Sequence, residues 1–169
     1  MAEKTERTAT DEKRAWIAVI RVRGDVGLSP RVRSAFRVLK LYKKNYCVIV
    51  PNSQDMVYTV RTVKDFTTFG EISQDTFSKL VQKRGKIAGD KPLTIDYIKQ
   101  KLSVDFQTFV SDIFSFKRKF SDIPGVKTFF RLHPPSGGFE RAGIKRNYSE
   151  NGALGYRGKN INKLVERMI

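Results

Sequence analysis

The residues of this sequence that most clearly indicate a binding function are basic side chains without neighbouring acids. Such side chains are suited to binding phosphates. A first set recurs at i, i+4, i+7 and i+11, on one face of a predicted helix: Arg33, Arg37, Lys40 and Lys44. Bases on a helix surface are commonly paired with acids four residues away, yet no acid occurs between Asp25 and Asp55. We interpret this face, with Arg21 and Arg23 before it, as a phosphate-binding surface; the alternative is an ordinary solvated face.

A second cationic stretch covers residues 131–159, where bases and aromatic residues are interleaved with six glycines. Its candidate RNA contacts are Arg131, His133, Arg141, Lys145, Arg146, Tyr148, Tyr156, Arg157 and Lys159. Such a segment can follow an irregular RNA backbone, with cations on phosphates and rings against bases or sugars. The alternative is a flexible linker, although arginines and aromatics are not typical of linkers. Two further candidates are Arg31, at the start of the first helix, and Arg84, in a basic cluster that ends a later one.

Catalytic and metal-binding chemistry is not indicated by this sequence. His133 and Cys47 are its only histidine and cysteine, so a zinc site built from His and Cys ligands cannot form. Cys47 lies inside an apolar strand, which favours a buried thiol over a catalytic Cys–His pair. The loop Gly24–Gly27 follows a strand and precedes a helix, but it lacks the glycine patterns of nucleotide-binding loops. We therefore predict no enzymatic activity, no cofactor, no metal and no small-molecule substrate.

The overall charge predicts an anionic partner. The 169 residues carry a net charge of +16, and charge of this size repels itself unless a polyanion compensates it. Nucleic acid is the leading candidate and an anionic membrane surface the competitor, although no stretch approaches the ~20 apolar residues of a membrane span. The polar stretch 1–14 is predicted to be a mobile tail without a signal peptide. A single cysteine is compatible with a reducing, intracellular compartment.

Residues 15–72 predict a β-α-β-α-β unit that would hold the first cationic set. The predicted elements are a strand over 16–23, a helix from Ser29-Pro30 to Asn45, a strand over 46–50, a helix capped by Ser53 and a strand over 66–72. The first helix would bury a stripe at helical spacing, made of Val32, Ala35, Phe36, Leu39 and Tyr42. The second strand is nearly all apolar, which predicts a central position in the sheet.

The remainder of the chain predicts a helical extension over 73–127, then a Pro/Gly-rich basic loop and a helix over 128–169. The predicted starts and spans are helices after Ser73 and Thr94, a helix over 105–116 closed by Lys117-Arg118-Lys119, and a short strand over 129–132. The final helix, capped by Asn160, has an apolar face that must dock on the rest of the protein. That face comprises Ile161, Leu164, Val165 and Met168.

Several short motifs occur in a particular order along the chain. They are residues 21–27, residues 32–41, Cys47-Val48-Ile49-Val50-Pro51, Val63-Lys64-Asp65-Phe66, Phe69-Gly70-Glu71-Ile72, Lys83-Arg84-Gly85, Arg131-Leu132-His133-Pro134-Pro135, Gly137-Gly138-Phe139, residues 152–158 and residues 161–168. In this ordered set the chain resembles the large-subunit ribosomal protein family numbered thirty in bacteria and seven in eukaryotes. Ser136 departs from the basic residue expected at that position. The long basic N-terminal extension of eukaryotic members is missing, so the resemblance is to the archaeal form.

The resemblance implies an α+β fold, in which a three-stranded antiparallel sheet carries two helices on one face, as a relative of the ferredoxin-like fold. It implies a structural constituent of the large ribosomal subunit in the cytoplasm, which binds and stabilises folded ribosomal RNA and has neighbouring ribosomal proteins as further partners. The alternatives are an RNA- or DNA-binding regulator outside the ribosome and an enzyme acting on nucleotides. Because phosphate contacts position without specifying, weak sequence preference and a steep salt dependence are expected.

Overall fold

The computed structural model describes residues 15–169, so the tail predicted over 1–14 lies outside the described residues. Its strands are β1 (Trp16–Arg21), β2 (Tyr46–Pro51), β3 (Thr67–Glu71), β4 (Phe129–Arg131) and β5 (Gly155–Tyr156). Its helices are α1 (Pro30–Val38), α2 (Gln54–Thr62), α3 (Gln74–Arg84), α4 (Ile95–Leu102), α5 (Phe106–Phe114) and α6 (Ile161–Met168). The helices and strands that were predicted occur in the predicted order over residues 15–169, and β5 is an additional strand. Over residues 15–169, none of the helices is long and apolar enough to cross a membrane.

The strands form a five-stranded sheet in the order β4-β2-β1-β3-β5. The three central strands are antiparallel, with Val19 of β1 opposite Val48 of β2 on one side and Phe69 of β3 on the other. This confirms the predicted three-stranded antiparallel centre. The sheet is larger than predicted, because β4 pairs antiparallel with β2 and β5 pairs parallel with β3. The C-terminal part of the chain thus covers both edges of the central sheet, which would otherwise expose unpaired backbone groups.

Each face of the sheet has its own apolar cluster. Val19 and Val48 point to a cluster covered by α1 and α2, whereas Ala18 and Ile20 point to a cluster covered by α3, α5 and α6. The two helices expected on one face are therefore present, and the C-terminal extension covers the other face. Burial on both faces explains why β1 and β2 are nearly continuous apolar runs instead of alternating sequences.

The last helix, α6, docks through its predicted apolar face. Ile161, Leu164, Val165 and Met168 are all buried in the cluster that α3 and α5 share. Full burial of an aliphatic side chain contributes about 1.5–3 kcal/mol relative to exposure. The segment before α6 is thereby anchored at both ends, by β4 on one side and by this helix on the other.

The end of α1 differs from the prediction. The helix stops at Val38, and Lys40 has a left-handed backbone with φ 56°. The amide of Leu41 donates to the carbonyl of Phe36 at 3.0 Å, and that of Lys40 donates to Arg37 at 3.1 Å, which is the hydrogen-bond pattern of a Schellman motif. Glycine is the usual residue at that position. Because a lysine occupies it here, the sequence does not mark the end of the helix. The prediction that α1 continues to Asn45 is wrong.

Two consequences follow from the early stop. Lys40 and Lys44 lie beyond the helix, so they do not continue the helical face of Arg33 and Arg37. Leu41 is fully buried, whereas Tyr42, which was expected in the buried stripe, is 50% exposed.

Candidate nucleic-acid interface

The clearest cationic surface lies on α1. Ser29 caps the helix by accepting a hydrogen bond from the amide of Val32 at 3.4 Å, and Pro30 occupies its first turn. Ala35 and Phe36 are buried, so Arg33 and Arg37 face solvent. Within residues 15–169 their guanidinium groups make no hydrogen bond or ion pair. Because these two arginines have no partner among the described residues, they can bind phosphates without first breaking a hydrogen bond or an ion pair.

Beside this surface, α1 and α2 form a shallow cleft with an arginine on each wall. Arg31 lies on α1 and Arg61 on α2, and Tyr58 lies with them in the cleft. The Tyr58 hydroxyl accepts a hydrogen bond from Arg31 at 2.5 Å, and the ring is 63% exposed. Sequence reasoning missed Tyr58 and Arg61. A signal was present, since neither residue belongs to the apolar stripe of α2, which consists of Met56, Val57 and Val60.

Arg21, predicted to contact RNA, is enclosed by protein. Its side chain is 1% exposed, and its guanidinium carbon lies 4.0 Å from the ring centre of Phe36. It donates to the carbonyls of Leu41 at 2.8 Å and Tyr42 at 3.1 Å, and to the carboxylate of Asp25 at 2.5 Å. These bonds tie the end of β1 to the turn after α1. The position excludes direct phosphate contact in this conformation, so Arg21 supports the surface without belonging to it.

Arg157, in the C-terminal segment, is also buried and makes its contacts inside the protein. It is 5% exposed, forms a two-pronged ion pair with Glu140, and donates to the hydroxyl of Thr68 at 3.1 Å. Its guanidinium carbon lies 4.4 Å from the ring centre of Tyr148. Burial raises the pKa of Glu140, but hydrogen bonding from Arg157 outweighs it, so the pKa lies below its ordinary value. Arg157 therefore fastens this segment to β3.

Arg23, Lys40 and Lys44 are partly committed to the protein. Arg23 is half-buried, donates to the carbonyl of Asp65 at 3.1 Å and lies 4.8 Å from the ring centre of Phe66. Lys40 is exposed and donates to the hydroxyl of Thr128 at 2.9 Å. Lys44 is exposed and packs its side chain over Gly24. None of the three is as free of protein contacts as Arg33 and Arg37.

A second cleft lies between the C-terminal segment and β3, beside Lys64. Lys64 lines one side, while Phe69, Tyr148 and Tyr156 supply aromatic rings, and the cleft measures about 390 Å³. The Tyr156 hydroxyl donates to Glu71 at 2.6 Å, which raises the pKa of the tyrosine, and the ring is 60% exposed. Phe69 packs on the cluster under α1 and α2. The structure therefore places Tyr148 and Tyr156, two predicted residues of the C-terminal segment, in one cleft with Lys64, which follows α2.

The segment over 131–159 is closely folded. The amide of Ala142 donates to Asn151 at 3.1 Å, and the amide of Ala153 donates to Gly143 at 3.1 Å. A Cβ atom at Gly152 would lie 2.2 Å from the carbonyl oxygen of Arg146, so only glycine fits there. This bonding does not fit a flexible linker. After β4 and the adjacent His133, the exposed bases of the segment are Arg141, Lys145, Arg146 and Lys159.

Three of the predicted residues lie apart from this surface. Arg131 is in β4, at the sheet edge opposite β5, and donates to Asp90 at 3.1 Å. Arg84 is half-buried and donates to the carbonyl of Ile169 at 3.1 Å. His133 is exposed beside β4, and its backbone amide donates to Met168 at 3.0 Å. The structure does not gather these three with α1.

Within residues 15–169, neither Cys47 nor any group of potential metal ligands is arranged for catalysis or metal binding. Cys47 is fully buried in β2, and burial raises the pKa of its thiol to about 12. A thiol held neutral in this way is a poor nucleophile. Among residues 15–169, no three His, Cys, Asp or Glu side chains are grouped as metal ligands.

The fold belongs to the ferredoxin-like α+β class. Exposed arginines lie on α1 and α2, which cover one face of the sheet. The family model for ribosomal protein L30p/L7e matches residues 17–66, from β1 to the end of the α2 turn. Proteins named large ribosomal subunit protein uL30 are similar over most of the chain. The relative from Methanopyrus kandleri is 42% identical over 149 residues, covering 88% of this chain and all of the relative. The chain belongs to the L30p/L7e family of ribosomal proteins.

Further archaeal relatives extend the match through the C-terminal segment. The uL30 protein of Methanococcus maripaludis is 39% identical and covers 90% of this chain and 98% of its own. That of Nanoarchaeum equitans is 39% identical and covers 92% of this chain and 99% of its own. The similarity thus includes the extension that completes both sheet edges.

Proposed function

We propose that this protein is a structural, non-enzymatic constituent of the large ribosomal subunit that binds and stabilises folded ribosomal RNA. Its family, and relatives that carry the name of a large-subunit protein, support this role. Membership of the ribosome would place the protein in the cytoplasm, with ribosomal RNA as its main partner and other ribosomal proteins as neighbours.

The observation that carries the RNA-binding part is the pair Arg33 and Arg37. Both are exposed on one helix, and within residues 15–169 neither guanidinium has a protein partner. The net charge of +16 would disfavour an isolated compact protein, and phosphates would compensate it. Each phosphate neutralised releases counterions, so affinity falls steeply with salt.

The clefts add a second kind of contact. Tyr58 shares one cleft with Arg31 and Arg61, and Tyr156 shares the other with Lys64. Aromatic rings flanked by cations can stack on exposed bases or sugars while the cations meet phosphates. In this proposal α1 and α2 determine the position of the protein on the RNA, and the C-terminal segment follows the RNA surface away from them. Arg21 and Arg157 hold both parts in place from inside.

Salt titration tests the phosphate contacts. Replacing Arg33 and Arg37 together by alanine should weaken binding to different structured RNAs by a similar factor. The slope of log affinity against log salt should fall by about 1.4–1.8, because each lost phosphate contact accounts for roughly 0.7–0.9. A matched control replaces Lys99 and Lys101 of α4, which removes equal charge from outside this surface. An unchanged slope in the double arginine variant, or a loss confined to one RNA sequence, would contradict the proposal.

Sedimentation tests the assembly. In a sucrose gradient of cell extract, the protein should migrate with large subunits and leave them only at high salt. A predominantly free pool would instead support a regulator that acts outside the ribosome.

A further inference from the structure

A cleft of about 310 Å³ lies on the sheet face opposite α1 and α2. Its apolar lining comes from Trp16, Ile49, Pro51, Phe116 and Phe120. Trp16 and the neighbouring strand residues belong to the face covered by α3, α5 and α6, so this cleft is separate from both clefts of the proposed RNA surface.

The aromatic wall of this cleft is built with an unusual backbone. Phe116 follows the end of α5 with φ 56°, a conformation that bulky residues rarely adopt. Its amide donates to Ile113 at 2.9 Å, and the amide of Lys117 donates to Asp112 at 2.9 Å, so an aromatic residue holds the usual glycine position of a Schellman motif.

This backbone brings the Phe116 ring into a parallel stack on Trp16, with ring centres 5.0 Å apart and planes inclined by 6°. The Trp16 indole nitrogen donates to the carbonyl of Ile113 at 2.9 Å, which fixes the indole. Both rings are therefore held in place before anything enters the cleft.

The mouth of the cleft is basic. Arg118 and Lys119 line it, and Lys117 precedes them in the same run, which the proposed RNA surface does not use. Arg118 has an acid nearby, since its Nε lies 3.5 Å from Asp112, whereas Lys117 and Lys119 are exposed. Lys40 donates to the hydroxyl of Thr128, a further lining residue, at 2.9 Å. The cleft therefore combines an apolar, aromatic floor with several cations at its mouth. This combination is complementary to a planar group that has a negative charge on each side of it.

We propose that this cleft takes one unpaired RNA base, with the phosphates beside that base held by Lys117, Arg118 and Lys119. The proposal rests on the proposed RNA-binding function and adds a second, base-inserting site on the opposite sheet face. A nucleobase is planar and its flanking phosphates are anionic, so it matches both the aromatic lining and the basic mouth. An apolar protein side chain would match the floor and leave the cations at the mouth without a counterpart.

The single tryptophan gives a direct readout of occupancy, because Trp16 is the only one in the chain and lines the cleft. The probes are a short RNA duplex and the same duplex with one unpaired adenosine. We expect the bulged RNA to quench Trp16 fluorescence and to bind about 5- to 150-fold more tightly, as one base stacked on an aromatic residue would allow. The perfect duplex should bind through phosphates and leave the emission unchanged.

A blocking variant separates the cleft from the rest of the surface. Ser121 is exposed and lines the cleft, so Ser121→Leu fills it without removing a buried side chain. This variant should lose the preference for the bulged RNA and keep the duplex affinity of the parent. Thr108→Leu, at an exposed position of α5 outside the cleft, is the matched control and should retain the preference.

Three outcomes would overturn the base-binding site. Equal affinities for both RNAs with unchanged emission would do so, as would a Ser121→Leu variant that still prefers the bulged RNA. Quenching of Trp16 by RNA-free ribosomal proteins would assign the cleft to a protein neighbour. In each case salt-dependent duplex binding would still measure the proposed function separately.

Discussion

The N-terminal unit, residues 15–72, and the extension, residues 73–169, each contain arginines of two kinds. Arg21 in the first and Arg157 in the second are 1% and 5% exposed, and both use their guanidinium groups inside the protein. Arg37 in the first and Arg141 in the second face solvent. The comparison shows that an arginine near the end of a strand can serve the fold, because it reaches carbonyls of neighbouring turns, those of Leu41 and Tyr42 for Arg21 and that of Ala153 for Arg157.

The two regions also present their exposed cations differently. In the N-terminal unit they lie on a regular helix, so their spacing follows from 3.6 residues per turn. In the extension they lie on turns that are held by backbone hydrogen bonds and by the Arg157–Glu140 pair. We propose that the two regions nevertheless fold as one unit, because Ala18 and Ile20 share an apolar cluster with Leu164.

The largest expected effect comes from removing the contact that joins the regions. Leu164→Ala should lower the free energy of unfolding by about 2–5 kcal/mol, since it leaves a cavity in the shared cluster. Denaturant unfolding followed by Trp16 fluorescence and by far-ultraviolet circular dichroism should give one coincident, shifted transition. Two separate transitions would show that the regions unfold independently.

Replacing a buried arginine should lower the free energy of unfolding by a smaller amount, and replacing an exposed arginine should not lower it. Arg21→Met should cost about 2–3 kcal/mol of stability, because the carbonyls of Leu41 and Tyr42 lose a charged donor. Arg37→Met, a change of the same chemistry on the surface, should leave the denaturation midpoint unchanged and lower RNA affinity instead. Equal stability losses in the two variants would contradict the distinction.

The smallest effect concerns the ion pair in the extension, and it depends on pH. The pKa of Glu140 is lowered in the folded protein relative to the unfolded chain. The pair therefore stabilises the fold fully above the unfolded-state pKa and loses this effect as pH falls through the lowered folded pKa. Glu140→Gln should therefore cost about 1 kcal/mol near neutral pH, the size of a weakened charged hydrogen bond.

Urea unfolding of both proteins between pH 7 and pH 3 measures this dependence. The difference between parent and variant should be constant near neutrality and should disappear on acidification. A difference that is independent of pH would show that the glutamate contributes by packing alone.

Much of the fold was accessible from local signals. Ser29-Pro30 and Ser73 mark real helix starts, and the apolar spacing of α6 correctly predicted its four buried residues. The end of α1 was not accessible, because its left-handed position is held by Lys40 and no glycine marks it. Strand β5 was also missed. It has only two residues, and its formation depends on pairing with the distant β3.

Within the candidate site, the sequence identified Arg31, Arg33 and Arg37, but it missed Arg61 and did not show what surrounds each cation. It correctly placed Arg33 and Arg37 on the exposed side of a helix. It treated Arg21 and Arg157 as equivalent to them, since burial depends on which distant segments come to lie above a strand.

By itself, the sequence determined the excess of positive charge, the order of strands and helices, and the family to which the chain is similar, because these depend on composition and on near neighbours along the chain. Only the tertiary structure decided which arginines remain free for phosphates and which hold the sheet together. It also decided that Trp16 and Phe116, 100 residues apart in sequence, form one aromatic wall. Contacts between distant residues depend on how whole elements pack, and no local pattern of residues encodes that packing.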